Sequence, residues 1–347
     1  MKIVVMCGGL SPERNVSISS SSLICKALRK MGHQAVLVDM FYGLENFSCE
    51  PAELFEKLPP IPEAAVGNTA PDMEKVIAAR KWKSDSKIGK GVLEICQAAD
   101  LVFIGMHGAC GEDGRIQATL DLLGIPYTGS GYLGSGLAMD KDLAKRVARS
   151  YGVRTPEWKT VSYEEEGIET LADATKLPCV VKPVDSGSSI GVFIANTREE
   201  LVSALRENLV YNRVILEQYV KGMELDVGVL NDESLPAILI EPKEGFYNYE
   251  NKYKAGATVE TCPAPIKPEI ERKLREAAIT VHRALGLSTY SRSDYIVDEN
   301  EDVYFIEMNT LPGMTPTSLL PQEAAAVGID YETLCAMIVE GALKETK

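Results

Sequence analysis

The sequence predicts an α/β protein with two or three hydrophobic cores. Segments of strand length alternate with segments of helical periodicity along the whole chain, which is typical of α/β architecture. A chain of 347 residues with 45% apolar and 25% charged residues has the size and composition of a globular protein with more than one domain. Near the C-terminus, two segments with period-2 alternation flank an acidic turn and predict an antiparallel hairpin.

The N-terminal part predicts a small parallel sheet of the Rossmann type that ends near residue 128. Its predicted elements are a strand (2–7), a turn (8–11), a helix (17–31) ended by Gly32, a strand (34–39) and a strand (100–106) that runs into a loop (107–114). Four prolines predict a loop over residues 59–71. The basic segment 75–90 is compatible with a phosphate-binding patch but favours a solvated surface helix.

A second unit follows and ends at a hinge. Its predicted elements are a helix (139–142), a strand (179–183), a glycine-rich loop (185–191), a short strand (192–195), a helix (198–207) and a strand (214–219). Lys221 and Gly222 mark the hinge to a last unit that holds the hairpin and a final helix (331–343). We therefore divide the chain into an N-terminal domain (1–129), a central domain (130–221) and a C-terminal domain (222–347).

The hairpin, predicted over residues 291–298 and 302–309, gathers oxygen-bearing side chains on one sheet face. Residues two apart in a strand share a face, so Glu307 and Asn309 point the same way. A turn at residues 299–302 would place Asp294 opposite Glu307, and Arg292 opposite Asn309. Directly opposed carboxylates destabilise a strand pair, so this set favours a seat for a hard cation such as Mg²⁺, shared with nucleotide phosphates. The alternative is an edge hairpin with solvated acids.

The glycine-rich loop that contains Ser186 and Ser188 offers groups that bind phosphate. Its glycines allow backbone N–H groups to approach an anion closely, and its serines add donors. Lys182, on the strand before the loop, adds a point charge. A lone loop of this kind is more often only a turn, but together with the acidic residues of the hairpin it indicates an ATP–Mg²⁺ site.

Other motifs leave alternatives open or favour other functions less well. Near the hinge, Glu217 and Glu224 are either surface acids or ligands of a ribose, and the aromatic segment 246–253 predicts a loop or lid over a site. Residues 129–134 match G-x-G-x-x-G, but only a short strand (125–128) precedes them, which disfavours a dehydrogenase. Nothing orients His107 and Cys110 as the base and nucleophile of a hydrolase.

Composition argues against several classes of protein. The net charge of −14 disfavours nucleic-acid binding. No apolar run reaches 18 residues and the N-terminus lacks a signal-peptide pattern, so we expect neither a membrane span nor secretion. Eight dispersed cysteines are typical of reduced thiols in a cytoplasmic protein, and three histidines disfavour a histidine-rich metal centre.

In combination, these motifs resemble the D-alanine–D-alanine ligases of the ATP-grasp superfamily. The resemblance covers most of the chain in order, through motifs at residues 8–17, 107–114, 127–131, 139–141, 182–191, 249–253, 291–294 and 307–315. It implies an N-terminal Rossmann-like domain followed by two α+β domains that sandwich ATP. Asn15 and Ser293 depart from the family pattern, and segment 40–98 has no confident match.

The resemblance also implies a role for each site residue. The ATP contacts would be Lys141, Lys182, Ser186, Ser188, Glu217, Gln218, Val220, Glu224 and Lys252. Two Mg²⁺ ions, for which Mn²⁺ can substitute, would be held by Asp294, Glu307 and Asn309. Glu13 would bind the first D-alanine's ammonium in a triad with Ser188 and Tyr253, near His107. Arg292 and the Gly313 N–H would form the oxyanion site, and Ser318 with the Leu319 N–H would hold the second substrate's carboxylate.

The activity implied by the resemblance is ATP-dependent ligation of two D-alanines through an acyl phosphate, for peptidoglycan precursor synthesis in a cytoplasmic homodimer. The Lys252–Tyr253 pair implies a dipeptide rather than an ester product. The alternatives are a D-alanine–D-serine ligase, another ATP-grasp carboxylate–amine ligase, a non-catalytic nucleotide sensor and a nicotinamide enzyme.

Overall fold

The fold consists of three β-sheets with helices packed against them, as seen in a computed structural model. The structure describes residues 1–63, 71–243, 245, 247, 251–252 and 256–345. The predicted mixture of strands and helices is confirmed. No helix within the described residues is both long enough and apolar enough to cross a membrane.

The N-terminal sheet has three parallel strands in the order β2–β1–β3. The strands are β1 (Lys2–Cys7), β2 (Gln34–Asp39) and β3 (Leu101–Ile104), and the helices are α1 (Arg14–Lys30), α2 (Leu54–Lys57), α3 (Met73–Ala79), α4 (Val92–Gln97) and α5 (Arg115–Leu122). The carboxyl ends of β1 and β3 lie side by side, because Met6 pairs with Ile104. The loops that follow them therefore meet, and the Ser11 hydroxyl donates to the His107 carbonyl at 2.7 Å.

Two sequence expectations for this region were wrong. Helix α1 begins at Arg14, not at residue 17, because helical hydrogen bonding already starts at Glu13, whose carbonyl accepts the Ser17 N–H at 2.9 Å. The Ser17 and Ser21 hydroxyls donate to the Gly105 carbonyl, directly after β3. Helix α3 ends at Ala79 instead of continuing to residue 90. The reason is Arg80, which is only 5% exposed and stacks 4.1 Å from the Phe41 ring centroid.

The second sheet has four antiparallel strands in the order β4–β7–β5–β6. The strands are β4 (Trp158–Val161), β5 (Cys179–Pro183), β6 (Phe193–Ala195) and β7 (Val214–Gln218), and the helices are α6 (Tyr132–Met139), α7 (Lys141–Ser150), α8 (Ile168–Asp173) and α9 (Arg198–Glu207). The single helix expected at 139–142 is instead the junction of α6 and α7. Asp140 is extended there and caps α7 by accepting the Leu143 N–H at 3.0 Å. The strand expected at 125–128 is reduced to one bridge between Val102 and Tyr127.

The third sheet has six strands and carries most of the site. The strands are β8 (Gly222–Leu230), β9 (Glu233–Ser234), β10 (Ile238–Pro242), β11 (Thr258–Thr261), β12 (Tyr290–Asp298) and β13 (Val303–Asn309), and the helices are α10 (Pro268–Ala284), α11 (Leu319–Ala326) and α12 (Tyr331–Glu345). Five of the strands run in the order β11–β10–β8–β12–β13, and β9 pairs with β8. Helix α12 buries Leu334 and Ile338 in the same core as Ile3 of strand β1 and Ile24 of helix α1.

The hairpin β12–β13 has the predicted strand pairing around Asp294, but its turn differs from the predicted one. Asp294 pairs with Glu307 and Arg292 with Asn309, as expected. A β-bulge after Asp294 then shifts the pairing by one residue, so that Tyr295 lies opposite Phe305. The turn is one residue shorter than predicted, since the Asp298 N–H donates to the Asp302 carbonyl at 3.1 Å.

Candidate active site

Two adjoining cavities lie along the inner face of the six-stranded sheet. The larger, of about 460 Å³, is enclosed by this sheet and the four-stranded sheet. The smaller, of about 330 Å³, is enclosed by the six-stranded sheet and the loops after β1 and β3. Tyr247, Lys252 and Glu307 line both cavities. Two ligands, one in each cavity, would therefore meet beside Lys252 and Glu307.

One face of the six-stranded sheet carries a row of carboxylates. Asp226 lies between Ile238 and Asp294, and Asp294 lies opposite Glu307, so these acids share a face. The same face continues through Glu224, which lies between Ile240 and Ile296, to Glu260, which pairs with Ile240. Such a row of like charges needs compensating cations.

Arg292 is the cation built into this row. Its Nε lies 2.8 Å from Asp226 Oδ2, and its Nε and Nη2 each donate to Asp294 Oδ1 at 3.2 Å. Burial opposes the charge of the guanidinium, but Asp294 and Asp226 outweigh it and raise the pKa of Arg292 well above its ordinary value. Arg292 is therefore charged and held in one orientation.

The three predicted metal ligands come together at the boundary of the cavities. Asp294 lines the larger cavity, Asn309 the smaller one and Glu307 both. The Asn309 amide donates to Asp294 Oδ1 at 3.2 Å. No cluster of three or more His, Cys, Asp and Glu side chains suited to a metal is present in the described part of the chain. The trio contains only two such residues and an amide, and its oxygen donors fit a hard cation.

Lysine side chains surround Glu307. Lys141 Nζ lies 3.4 Å from Glu307 Oε2. Burial would raise the pKa of Glu307, but the charges of Lys141, Lys252 and Lys182 outweigh it and lower that pKa to about 2. The carboxylate is therefore ionised, and the positive charge around it favours an anion such as phosphate in the adjoining space.

The larger cavity collects eight of the nine predicted ATP contacts. They are Lys141, Lys182, Ser186, Glu217, Gln218, Val220, Glu224 and Lys252. Apolar side chains such as Val180, Ile194 and Leu239 complete the walls. Polar groups at one end and apolar walls elsewhere suit a ligand with a flat ring and a charged tail. The ninth residue, Ser188, lines the smaller cavity.

Lys145 is a residue of this site that the sequence reasoning missed. Its side chain is completely buried, it forms an ion pair with Glu217 Oε1, and Lys182 Nζ donates to Glu217 Oε2 at 2.7 Å. Burial lowers the pKa of Lys145 to about 8, although Glu217 acts in the opposite direction. Glu217 thus bridges two lysines. The sequence signal that could have identified Lys145 is its spacing, since it lies one helical turn after Lys141.

The smaller cavity joins residues that are far apart in sequence. The Ser188 hydroxyl donates to Glu13 Oε1 at 2.5 Å, across 175 positions. Ser188 has φ +51°, a left-handed conformation that is uncommon for serine. Two members of the predicted triad are therefore in contact, and the third, Tyr253, lies outside the described residues.

Two glycines make room for the Glu13 carboxylate. A Cβ at Gly187 would lie 2.6 Å from Glu13 Oε2, and a Cβ at Gly108 would lie 2.7 Å from the same oxygen. Gly108 also has φ +68°. The two loops can reach Glu13 only because both positions lack a side chain.

His107 and Glu112 tie the loop after β3 to the segment after β13. His107 Nδ1 lies 2.9 Å from the Leu311 carbonyl oxygen, and its Nε2 is buried without a hydrogen-bond partner among the described residues. Glu112, also missed from sequence, accepts the N–H of Gly108 at 2.7 Å and of Leu311 at 3.2 Å. Cys110 lines neither cavity, which leaves the Cys–His hydrolase without support.

Glu112 should make the stability of the protein depend on pH. Burial, with Glu13 nearby, raises the pKa of Glu112 to about 8. A carboxyl group whose pKa is higher in the folded than in the unfolded protein stabilises the fold at low pH, and this contribution is lost as the pH rises. For Glu112 the free energy of unfolding should fall between about pH 4.5 and pH 8, by up to about 1.4 kcal/mol per pH unit. Glu112→Gln should make this slope shallower by the contribution of Glu112. It should also lower stability overall, because the amide NH₂ that replaces one carboxylate oxygen cannot accept an N–H. Urea unfolding of both proteins from pH 5 to pH 8 checks this, and parallel pH profiles would contradict it.

Apart from Arg292, the groups predicted to bind the oxyanion and the second carboxylate lie at or just before the start of helix α11. The Ser318 hydroxyl accepts the Thr315 N–H at 3.0 Å, and a Cβ at Gly313 would lie 2.7 Å from Ser318 Oγ. Leu319 is the first residue of α11, so its N–H has no acceptor within the helix. Gly313, Ser318 and Leu319 line the smaller cavity together with Arg292. This end of the cavity therefore suits a carboxylate.

Two further acids of the site escaped the sequence reasoning. Asp226 is 1% exposed, and burial, together with the charge of Asp294, raises its pKa well above the ordinary value. The sequence signal that could have identified Asp226 is its position two residues after Glu224, which places both acids on the same face of one strand. Glu260 lines the smaller cavity, and no motif marks it.

Both parts of the chain match models of one protein family. Residues 2–130 match the model described as D-ala D-ala ligase N-terminus, and residues 147–340 match D-ala D-ala ligase C-terminus. The chain is 40% identical over 347 residues to the D-alanine–D-alanine ligase of Pediococcus pentosaceus, covering 99% of this chain and 98% of the relative. It is 46% identical over 260 residues to that of Desulfotalea psychrophila, covering 72% and 80%.

Solved structures agree with the sequence comparison. The D-alanine–D-alanine ligase of Bacillus anthracis in complex with ATP has a TM-score of 0.74 and 30% identity, covering 100% of this chain and 98% of the other. The enzyme of Coxiella burnetii has a TM-score of 0.73 and 26% identity, covering 99% and 94%. The expected ATP-grasp fold is confirmed. The chain belongs to the D-alanine–D-alanine ligase family.

Proposed function

We propose that this protein joins two D-alanines into D-alanyl-D-alanine at the expense of ATP, through an acyl phosphate, for peptidoglycan precursor synthesis. The observation that carries the proposal is the meeting of two cavities at Lys252 and Glu307, one suited to a nucleotide and the other to a carboxylate and an ammonium. Family membership and a relative solved with ATP support it. The three domains proposed are residues 1–129, 130–221 and 222–347.

The nucleotide is assigned to the larger cavity. The base lies between the apolar walls near Gln218 and Val220, and the ribose lies near Glu224. The phosphates lie toward Lys141, Lys182 and the loop with Ser186, where Lys141 Nζ already donates to the Ser186 carbonyl at 2.6 Å. Lys252, on the boundary, faces the γ-phosphate. Glu217 keeps Lys182 in place.

Mg²⁺ is assigned to Asp294, Glu307 and Asn309. When bound there it neutralises charge on the phosphates during transfer. The assignment is supported by the oxygen donors of the three side chains, which meet at the boundary of the two cavities, where Asp294 pairs with Glu307.

The first step takes place between the two cavities. Glu13, oriented by the Ser188 hydroxyl, binds the ammonium of the first D-alanine. The substrate's carboxylate oxygen forms a bond to the γ-phosphorus, and the bond from that phosphorus to the β–γ bridging oxygen breaks, releasing ADP. Lys182 and Lys252 stabilise the charge on the transferred group electrostatically. The third predicted member of the triad, Tyr253, lies outside the described residues.

The second step takes place in the smaller cavity. The second D-alanine places its carboxylate at the Ser318 hydroxyl and the Leu319 N–H. Its ammonium first loses one proton to water, and the resulting amine attacks the acyl carbon. The tetrahedral oxyanion is stabilised by Arg292 and the Gly313 N–H. The carbon–oxygen bond to phosphate then breaks and the nitrogen releases a second proton, giving the dipeptide and phosphate. His107, whose buried Nε2 has no hydrogen-bond partner in the described part of the chain, is assigned to the wall of the first D-alanine site.

The assembly proposed is a cytoplasmic homodimer. Helices α5 and α6 pack together and leave large apolar side chains exposed, with Leu122 at 89%, Leu133 at 63% and Tyr132 at 54%. Apolar side chains in this number on neighbouring helices suit burial against a second copy. Sedimentation equilibrium tests the dimer.

The experiment that tests the function is a product competition. We expect purified protein with ATP, Mg²⁺ and equal D-alanine, D-serine and D-lactate at neutral pH to give D-alanyl-D-alanine as the main product by mass spectrometry. A D-alanyl-D-serine majority would favour the D-serine ligase, and a majority of ester would contradict the peptide assignment. Omission of D-alanine should stop phosphate release.

A further inference from the structure

Glu260 lies in the substrate cavity without any role in the steps above. It belongs to the edge strand β11, where it pairs with Ile240 and faces the same side of the sheet as Glu224 and Asp226. It lines the smaller cavity together with Arg292 and Ser318. A carboxylate in this position is available to a ligand.

Two uncharged donors fix the Glu260 carboxylate. Gln322 Nε2 donates to Glu260 Oε2 at 2.5 Å, and the Tyr247 hydroxyl donates to Glu260 Oε1 at 3.3 Å. Tyr247 is itself 8% exposed, so it is a fixed donor. Because both donors are neutral, they orient the carboxylate and leave its negative charge intact.

The same helix connects Glu260 to the carboxylate-binding groups. Gln322 lies four residues after Ser318, and its N–H donates to the Ser318 carbonyl at 3.3 Å. Helix α11 therefore presents the Leu319 N–H at its first residue and holds Glu260 one turn later. The helix thus brings an anion-binding group and a carboxylate into one cavity, where they can bind the two opposite charges of an α-amino acid.

The other acids of the smaller cavity already have roles. Glu13 is assigned to the ammonium of the first D-alanine, Glu112 accepts the backbone N–H groups of two loops, and Glu307 is assigned to the metal and lies against Lys141. We propose that Glu260 binds the ammonium of the second amino acid and thereby selects an amine over a hydroxy acid. This inference rests on the proposed ligase function. A hydroxy acid carries no positive charge for Glu260 to bind.

Glu260→Gln tests the inference because glutamine keeps the size and removes the charge. Its amide oxygen can still accept from Gln322, and its NH₂ group can donate to the Tyr247 hydroxyl oxygen. The KM for the second D-alanine should rise about 10- to 100-fold, the range expected for a lost charged hydrogen bond. The KM for ATP should not change. The ratio of D-alanyl-D-lactate to D-alanyl-D-alanine should rise by a similar factor. Gln322→Met, which removes one orienting donor, should shift both quantities in the same direction by less.

Val259→Thr is the matched control, since Val259 is the neighbouring residue on the opposite face of β11 and is 45% exposed. It should leave both quantities unchanged. Unchanged KM and product ratio in Glu260→Gln, with the KM for ATP intact, would overturn the inference. So would a change confined to D-serine use, because Glu260 would then contact a side chain. Failure of the unmutated protein to make any dipeptide would instead overturn the proposed function.

Discussion

Replacement of Glu307 by glutamine should lower turnover by about a thousandfold or more while the protein remains folded. Glu307 lines both cavities, and its ionised carboxylate is the only predicted metal ligand that does so among the described residues. An amide removes the negative charge that a hard cation prefers, and phosphoryl transfer then loses charge neutralisation at the phosphates. ADP release with D-alanine, measured over a range of Mg²⁺ concentrations, checks this.

The matched control for this variant is Glu299→Gln, an exposed acid in the turn of the same hairpin. It should retain normal turnover. Both variants should unfold at urea concentrations close to that of the unmutated protein. If Glu307→Gln released ADP at a normal rate, the assignment of the metal to this hairpin would be wrong.

Replacement of Arg292 by lysine should separate the two chemical steps. Lysine keeps the positive charge between Asp226 and Asp294 but cannot reproduce the planar array of donors that points at the oxyanion. Loss of one such donor lowers kcat by about 100- to 1,000-fold. We expect slow ADP formation to continue while the dipeptide yield per ADP falls sharply, because the acyl phosphate is then lost to water.

The measurement for Arg292→Lys is the ratio of dipeptide to ADP in a single reaction. Arg275→Lys serves as the control, since Arg275 is held by Ser234 on the opposite side of the sheet and should show a ratio near one. Equal and mild losses of ADP and dipeptide in Arg292→Lys would show that Arg292 does not act on the second step.

Elements defined by local pattern could be predicted from sequence. The bounds of β1, β2 and β5 and of helix α9 agree with the expectation, because each has clear periodicity and a turn or cap at its ends. Helix α9, for example, has a capping box formed by Thr197 and Glu200. The predicted pairing of Asp294 with Glu307 was also correct, although neither the bulge nor the shorter turn was foreseen. The turn shifts the strand pairing by one residue and the bulge shifts it back, so the pairing at Asp294 is the predicted one.

The site could be predicted only where a motif marks it. The contact between Glu13 and Ser188 followed from family resemblance, not from spacing. Lys145 and Glu260 have partners 72 and 62 residues away, Glu217 and Gln322, and such contacts depend on how the sheets and helices pack. The contact between Glu260 and Gln322, which joins a strand to a helix, leaves no periodic signal in the chain.

The most direct test of the proposed mechanism follows an oxygen atom from D-alanine. In an acyl phosphate, one carboxylate oxygen of the first D-alanine becomes the bridge to phosphorus and leaves with the phosphate when the amine attacks. With D-alanine labelled with ¹⁸O in both carboxylate positions, the phosphate released should carry one ¹⁸O atom for each D-alanyl-D-alanine formed, as seen by mass spectrometry. Phosphate without ¹⁸O, or label recovered in AMP, would contradict the acyl-phosphate mechanism.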